Sequence, residues 1–107
     1  MNIETNNEIK STIAQNALLH VIDPEIGLNV VDLGLIYKLF FDEQNKVIDV
    51  VMTLTTQFCP MGESIMDGVK GALGEAFSDY ETRIDLVFDP HWSHEMISED
   101  GKNFLNQ

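Results

Sequence analysis

Two apolar segments joined by a short polar connection constrain the fold of this chain more than any other feature. Residues 35–41 are rich in Leu, Ile, Tyr and Phe, and residues 46–55 carry an apolar side chain at every second position. The apolar face of the second segment comprises Ile48, Val50, Met52 and Leu54. The connection, Asp42-Glu43-Gln44-Asn45, has the length of a hairpin loop. The sequence therefore predicts an antiparallel strand pair with one packed face.

Helical patterns lie on both sides of this hairpin. Apolar residues recur at helical spacing between Asn6 or Asn7, either of which can cap a helix, and Val21. The predicted stripe on this first helix comprises Ile9, Ile13, Ala17, Leu18 and Val21. Residues 62–77 predict a second helix, residues 82–88 a third strand, and residues 95–105 a short final helix.

This order of elements predicts the fold class. The sequence α-β-β-α-β-α is typical of a two-layer α+β domain whose helices pack on one face of a small sheet. We expect one domain over residues 1–107, with residues 1 to about 7 frayed. Tyr37, Val51 and Val87 are expected on the other sheet face, exposed to solvent or to a partner.

Charge and hydropathy exclude several classes of partner. The chain has 18 acidic and 6 basic residues, for a formal net charge of −12, which repels the phosphates of nucleic acids and anionic membranes. No apolar run approaches the roughly 18 residues of a membrane span, and the first ten residues are polar and acidic. A single cysteine without an export signal is typical of a reducing compartment, so we expect a cytoplasmic protein.

The single cysteine, Cys59, is the strongest candidate for chemistry. It follows an apolar strand and precedes a predicted helix in Thr55-Thr56-Gln57-Phe58-Cys59-Pro60. The N–H groups and the dipole of a helix start stabilise a thiolate, which is the nucleophilic and metal-binding form. The hydroxyls of Thr55 and Thr56 add polar groups to the same place. The alternative is a buried cysteine that only packs.

Carboxylates and histidines in two loops are further candidates. Asp23, Glu25 and Asp32 could orient a ligand or bind a hard cation, although Asp23-Pro24 is also typical of a turn. His91 and His94 have a spacing that would allow both to share a metal with Cys59. The alternative is a polar loop in which Trp92, by its burial, anchors the final helix.

Three segments together resemble one protein family. They are Val21-Ile22-Asp23-Pro24-Glu25-Ile26-Gly27 with its continuation to Tyr37, Met52-Thr53-Leu54-Thr55-Thr56 with Cys59-Pro60, and Phe88-Asp89-Pro90-His91-Trp92-Ser93. In this order and spacing they resemble the SufT/PaaD-like family, small domains linked to iron–sulfur protein maturation. The resemblance covers about residues 12–105.

The resemblance implies a site and a function. It implies a pocket formed by Asp23, Glu25, Thr55, Thr56 and Cys59, with Cys59 as the key thiolate and Trp92 closing or supporting the rim. It implies a non-enzymatic adaptor or transient carrier whose partners are iron–sulfur assembly proteins or apo-target proteins. Iron or an iron–sulfur cluster would be transient, because one cysteine does not supply the four thiolates that such clusters usually take. A homodimer would supply a second thiol.

Three other functions stay open at this point. The PaaD branch suggests an accessory subunit of a multicomponent oxygenase for aromatic acyl-CoA compounds, but that branch carries extra cysteines that these 107 residues lack. A thiol enzyme would use Cys59 as nucleophile and His91 or His94 as base. The last is a metal-buffering or interaction domain.

Overall fold

The predicted order of helices and strands is confirmed, with one additional strand. The structure is a computed structural model, and it describes residues 3–56 and 61–106. The elements are β1 (Glu4–Thr5), α1 (Glu8–Leu18), β2 (Ile36–Asp42), β3 (Val47–Met52), α2 (Gly62–Ala76), β4 (Glu81–Leu86), a 3-10 turn (His94–Met96) and α3 (Glu99–Leu105).

The four strands form one mixed sheet in the order β1-β2-β3-β4. Strands β2 and β3 pair antiparallel as predicted, with Leu39 opposite Val50. The connection is held by the Asp42 carboxylate, which accepts hydrogen bonds from the backbone N–H groups of Gln44 and Asn45. Strand β4 returns parallel to β3 after α2 crosses over the sheet.

We expected residues 1 to about 7 to fray, but residues 4–7 are bonded to the rest of the protein. Glu4 and Thr5 pair parallel with Lys38 and Leu39 of β2. The side chain of Asn6 donates to the carbonyl of Phe41 and accepts from its N–H, so the amide extends the strand pairing. These long-range bonds order the described part of the segment. Asn7 then caps α1, as predicted, by accepting from the N–H of Lys10.

One hydrophobic core lies between the sheet and the first two helices. The predicted apolar face of β3 is buried, and it packs in one cluster with Leu18 of α1 and with Ile65, Val69 and Leu73 of α2. The other sheet face is mostly polar, with Lys38, Asp49 and Arg83 exposed, but it also carries the exposed Phe40 and the half-buried Val51. This arrangement confirms the two-layer α+β class, although α3 packs on the loop around Leu28 and Asp32 and not on the sheet.

The buried face of α1 differs from the predicted stripe. Ile9 is 77% exposed and Ile13 46% exposed, whereas Ser11, Ala14 and Leu18 are buried. The helix is therefore rotated from the orientation that hydropathy predicts, because packing against α2 decides which residues face the core.

No helix among the described residues is long and apolar enough to cross a lipid bilayer.

Candidate functional site

The structure describes both flanks of the cysteine segment. Cys59 itself lies outside the described residues, together with Gln57, Phe58 and Pro60. On one side, β3 ends at Met52 and the chain continues through the buried Leu54; on the other, α2 begins at Gly62. These flanks agree with a segment between a strand end and a helix start, and the role of Cys59 stays a prediction.

The two flanks pack tightly against each other. A Cβ placed on Gly62 would come within 2.7 Å of Cδ1 of Leu54, so a larger residue at the helix start would displace this side chain. Thr55 is half-buried and Thr56 is exposed, whereas Thr53, which we did not single out, is completely buried. The backbone N–H of Thr53 donates to the carbonyl of Leu35 at 2.8 Å and fixes where the strand ends.

Asp23 organises the turn that follows α1. Its side chain is 1% exposed, and its Oδ1 accepts from the N–H of Glu25 at 2.9 Å. Its backbone carbonyl accepts from Ile26 and Gly27, and Gly27 has a φ of +83° that a residue with a side chain rarely adopts. Asp23 therefore has a turn-forming role, whereas Glu25 is exposed. A ligand-binding role for either residue stays a prediction.

Asp32, the third candidate carboxylate, is bonded within the protein. Its Oδ2 accepts from the side-chain amide of Asn29 at 2.7 Å, and its Oδ1 accepts from the hydroxyl of Ser98 at 2.7 Å. Ser98 in turn caps α3 by accepting from the N–H of Gly101. The carboxylate thus joins the loop before β2 to the start of the last helix.

Trp92 fixes the C-terminal segment on the same loop. Its Nε1 donates to the carbonyl of Leu33 at 2.7 Å, and its ring lies 5.2 Å from the ring of His94. This contact agrees with the anchoring role that we gave as the alternative for Trp92. His91 and His94 are both exposed.

Tyr37, which we expected on the outer sheet face, is half-buried and is held by the C-terminal segment. Its hydroxyl donates to the carbonyl of Pro90 at 2.9 Å. Burial raises the pKa of the Tyr37 phenol, and a hydrogen bond with Thr53 opposes this rise. Sequence patterns did not identify Tyr37 or Ser98 as residues that hold the C-terminal segment in place, although Ser98 followed by Glu99 and Asp100 is a recognisable helix start.

Metal ligands do not gather in the described part of the chain. Within residues 3–56 and 61–106, no three His, Cys, Asp or Glu side chains are placed to hold a metal ion. The predicted set of Cys59, His91 and His94 includes a residue outside this part, so it stays a prediction.

Comparison with known proteins decides the family. Residues 12–86 match the family described as iron–sulfur cluster assembly protein. The chain belongs to this family. The match covers the 23–27 turn and the Cys59 segment, whereas Trp92 and the two histidines beside it lie beyond its end.

Curated relatives of this iron–sulfur assembly domain have closely related names. A Staphylococcus aureus (strain USA300) protein named Fe-S protein maturation auxiliary factor SufT is 44% identical over 82 residues, which cover 77% of this chain and 92% of that protein. The Bacillus subtilis (strain 168) maturation auxiliary factor YitW is 37% identical over 80% of this chain and 83% of its own length. The resemblance to the SufT branch is therefore confirmed. These names favour maturation over the oxygenase interpretation and describe auxiliary factors, not enzymes.

Solved structures of similar domains support the fold. A domain of unknown function from Bacillus anthracis is 33% identical with a TM-score of 0.82, covering 94% of this chain and 98% of that one. A conserved hypothetical protein from Thermotoga maritima is 34% identical with a TM-score of 0.75 over the whole of both chains. A Mycobacterium tuberculosis protein described as associated with iron–sulfur complex assembly and repair is 37% identical, with a TM-score of 0.53, covering 89% of this chain and 82% of that one.

Proposed function

We propose that this chain is an auxiliary factor in the maturation of iron–sulfur proteins and that it acts through the thiolate of Cys59. The observation that carries the proposal is the family match over residues 12–86, which includes the cysteine segment. The names of the relatives add support, because they describe maturation factors.

The number of cysteines defines what kind of factor this is. The chain has one cysteine, whereas iron–sulfur clusters usually take four thiolates. Cys59 therefore contacts iron, a cluster or a partner's thiol as cargo in transit, and the remaining ligands come from a partner, a second copy or other side chains. The chain is an adaptor or a transient carrier without turnover of its own.

The other residues of the predicted site have supporting roles in this proposal. Asp23 holds the 23–27 turn through its bonds to Glu25 and Gly27, and the exposed Glu25 offers a carboxylate to a partner or to the cargo. Thr55 and Thr56 supply hydroxyls beside the cysteine segment. Trp92 holds the C-terminal segment and thereby the position of His91 and His94, which are additional candidate ligands.

The partners follow from surface charge and family. Iron–sulfur assembly proteins or apo-target proteins are the partners that fit the family. A formal net charge of −12 favours a basic patch on such a partner, because opposite charges speed encounter and align the two surfaces.

Anaerobic iron–sulfur reconstitution of the wild type, Cys59→Ser and His91→Ala/His94→Ala tests the proposal. A visible chromophore that the Cys59→Ser variant lacks supports a carrier, and loss of the chromophore in the histidine variant assigns ligand roles to the histidines. Each variant is then expressed in cells that lack the chromosomal copy, under iron limitation, and the activity of iron–sulfur enzymes is measured. A Cys59-dependent activity without a chromophore supports an adaptor. If Cys59→Ser matches the wild type in both assays, the proposal is wrong.

A further inference from the structure

Strand β4 leaves a long backbone edge without a partner. It is the last strand of the sheet, it spans Glu81–Leu86, and no strand among residues 3–56 and 61–106 pairs with its outer side. Its register with β3 runs without a shift from Glu81 to Leu86. The opposite edge, β1, has only two residues. A long, regular edge of this kind is a template for another strand, whereas a very short edge is protected.

The direction of the backbone groups on this edge is fixed by the pairing with β3. The N–H of Glu81 donates to the carbonyl of Lys46, the residue before β3, and the N–H of Val87 donates to the carbonyl of Met52 in β3. Because a strand alternates, Arg83 and Asp85 also bond toward β3, and the N–H and C=O groups of Thr82, Ile84 and Leu86 point outward. The side chains of Ile84 and Leu86 are only partly buried, so an added strand would cover apolar surface as well.

The charges on this strand are complementary to those of a second copy. Arg83 and Asp85 are exposed on the polar face of the sheet, on either side of Ile84. If two β4 strands meet antiparallel with Ile84 opposite Ile84, each Arg83 lies directly opposite an Asp85. In the same register the outward-pointing groups of Thr82 and Leu86 face each other and complete the hydrogen bonds. Opposite charges at such positions stabilise a strand pair.

Other antiparallel registers of the two β4 strands are less favourable. A shift that centres the pair on Arg83 places two guanidinium groups opposite each other, and one centred on Asp85 places two carboxylates opposite each other, both of which are unfavourable. Larger shifts leave most of the outward-pointing residues unpaired. Registers between these would match outward-pointing with inward-pointing backbone groups.

We infer that two copies of this chain associate through β4, in an antiparallel pair centred on Ile84, to form one continuous eight-stranded sheet. Arg83 also bonds Glu81 of its own strand at 2.7 Å, so in the dimer it lies between two carboxylates. The repulsion between two acidic chains is screened beyond about 8 Å at physiological ionic strength. The inference does not depend on the proposed function, although a dimer would carry two copies of Cys59.

Charge reversal offers a matched set of variants for this interface. Arg83→Asp places Asp opposite Asp, and Asp85→Arg places Arg opposite Arg, so each variant alone should dimerise at least about tenfold more weakly than the wild type. Mixing the two variants should restore a heterodimer, because each Asp then meets an Arg. The double variant Arg83→Asp/Asp85→Arg has the wild-type net charge and should dimerise like the wild type.

Sedimentation velocity over a range of concentrations measures these dimer constants, and circular dichroism confirms that each variant is folded. In the wild type, hydrogen exchange at the N–H groups of Thr82, Ile84 and Leu86 should slow as concentration rises, while exchange in Arg83→Asp should not change. A wild type that stays monomeric up to about 1 mM overturns the inference. So does a dimer that both single variants leave unchanged, or a monomer whose β4 edge binds only an extended basic peptide.

Discussion

The hydroxyl of Ser98 donates a hydrogen bond to Oδ1 of Asp32 at 2.7 Å, across a separation of 66 residues. The backbone N–H of Ser98 also donates to the carbonyl of Asp32 at 2.8 Å. Asp32 therefore accepts two hydrogen bonds from Ser98, the residue that caps α3. This pair joins the loop before β2 to the C-terminal segment, which also contacts Tyr37 and Leu33.

Ser98→Ala should lower the free energy of unfolding by about 1–2 kcal/mol, because it removes both the helix cap and the bond to Asp32. Asp32→Ala should cost a similar amount, and the double variant should cost less than the two changes together, because the residues share one bond. Urea denaturation measures all three. Ser64→Ala, an exposed serine on α2, is the matched control and should change stability by less than about 0.5 kcal/mol.

Two glycines with positive φ separate backbone strain from steric overlap. Gly27 and Gly34 have φ values of +83° and +78°, but a Cβ on Gly27 meets nothing within 4 Å, whereas one on Gly34 would overlap the backbone carbonyl of Met96. Gly27→Ala should cost about 1–2 kcal/mol from strain alone. Gly34→Ala should cost about 3 kcal/mol or more, because the C-terminal segment must also move. Thermal denaturation measures both losses of stability. Equal losses for Gly27→Ala and Gly34→Ala would show that the Met96 carbonyl adds nothing to the cost at Gly34.

Replacements of Asp23 distinguish its turn-forming role from a role for its charge. Asp23→Asn keeps an acceptor oxygen for the N–H of Glu25, so stability should change by less than about 1 kcal/mol. Asp23→Ala removes the acceptor and should cost about 1–3 kcal/mol. If the carboxylate charge serves maturation, Asp23→Asn should impair iron–sulfur enzyme activity in cells while urea denaturation stays close to wild type. Full activity of a stable Asp23→Asn protein would show that Asp23 forms the turn and that its charge has no role in maturation.

The ion pair between Lys10 and Glu43 predicts a pH effect. A hydrogen bond from Lys10 lowers the pKa of the Glu43 carboxyl, and charge attraction adds to it. Because this pKa is lower in the folded state, the stabilisation is present above the unfolded-state value and is lost as pH falls through the folded-state value. Lys10→Met should raise the pKa of Glu43, measured by NMR titration of its carboxyl carbon.

Lys46→Met is the charge-matched control for that titration. Lys46 acts on Glu43 only through weaker charge attraction, so its replacement should move the same pKa less. Equal shifts in the two variants would mean that net charge, and not the direct hydrogen bond, sets the pKa of Glu43.

The hairpin was predictable because its information is local. Apolar side chains at every second position from Ile48 to Leu54 indicate which face meets the core, and the Asp42 turn fixes the connection. Strand β1 was missed because it depends on Asn6 bonding the backbone of Phe41, 35 residues away. The stripe on α1 was misassigned because Ile9 and Ile13 are more apolar than the buried Ser11 and Ala14, and only packing reveals the difference.

The candidate site was predictable to a different extent at each position. Family motifs predicted Asp23 and Cys59 as site residues, and Asp23-Pro24 also indicated a turn, but no pattern revealed that Asp23 is buried there. The tie between Asp32 and Ser98 depends on tertiary contact, so short-range spacing could not predict it. Trp92 as an anchor followed from the general tendency of a large aromatic ring to bury and to bond through its N–H.

Trp92 is the only tryptophan in the chain, and its indole is bonded to the loop carbonyl of Leu33. Its fluorescence therefore reports whether the C-terminal segment is packed against the loop. Lifting that segment from the loop would expose the indole to water and shift its emission to longer wavelength. Cargo or partners that act near this loop can thus be followed by light from the unlabelled protein, with no dye attached to Cys59.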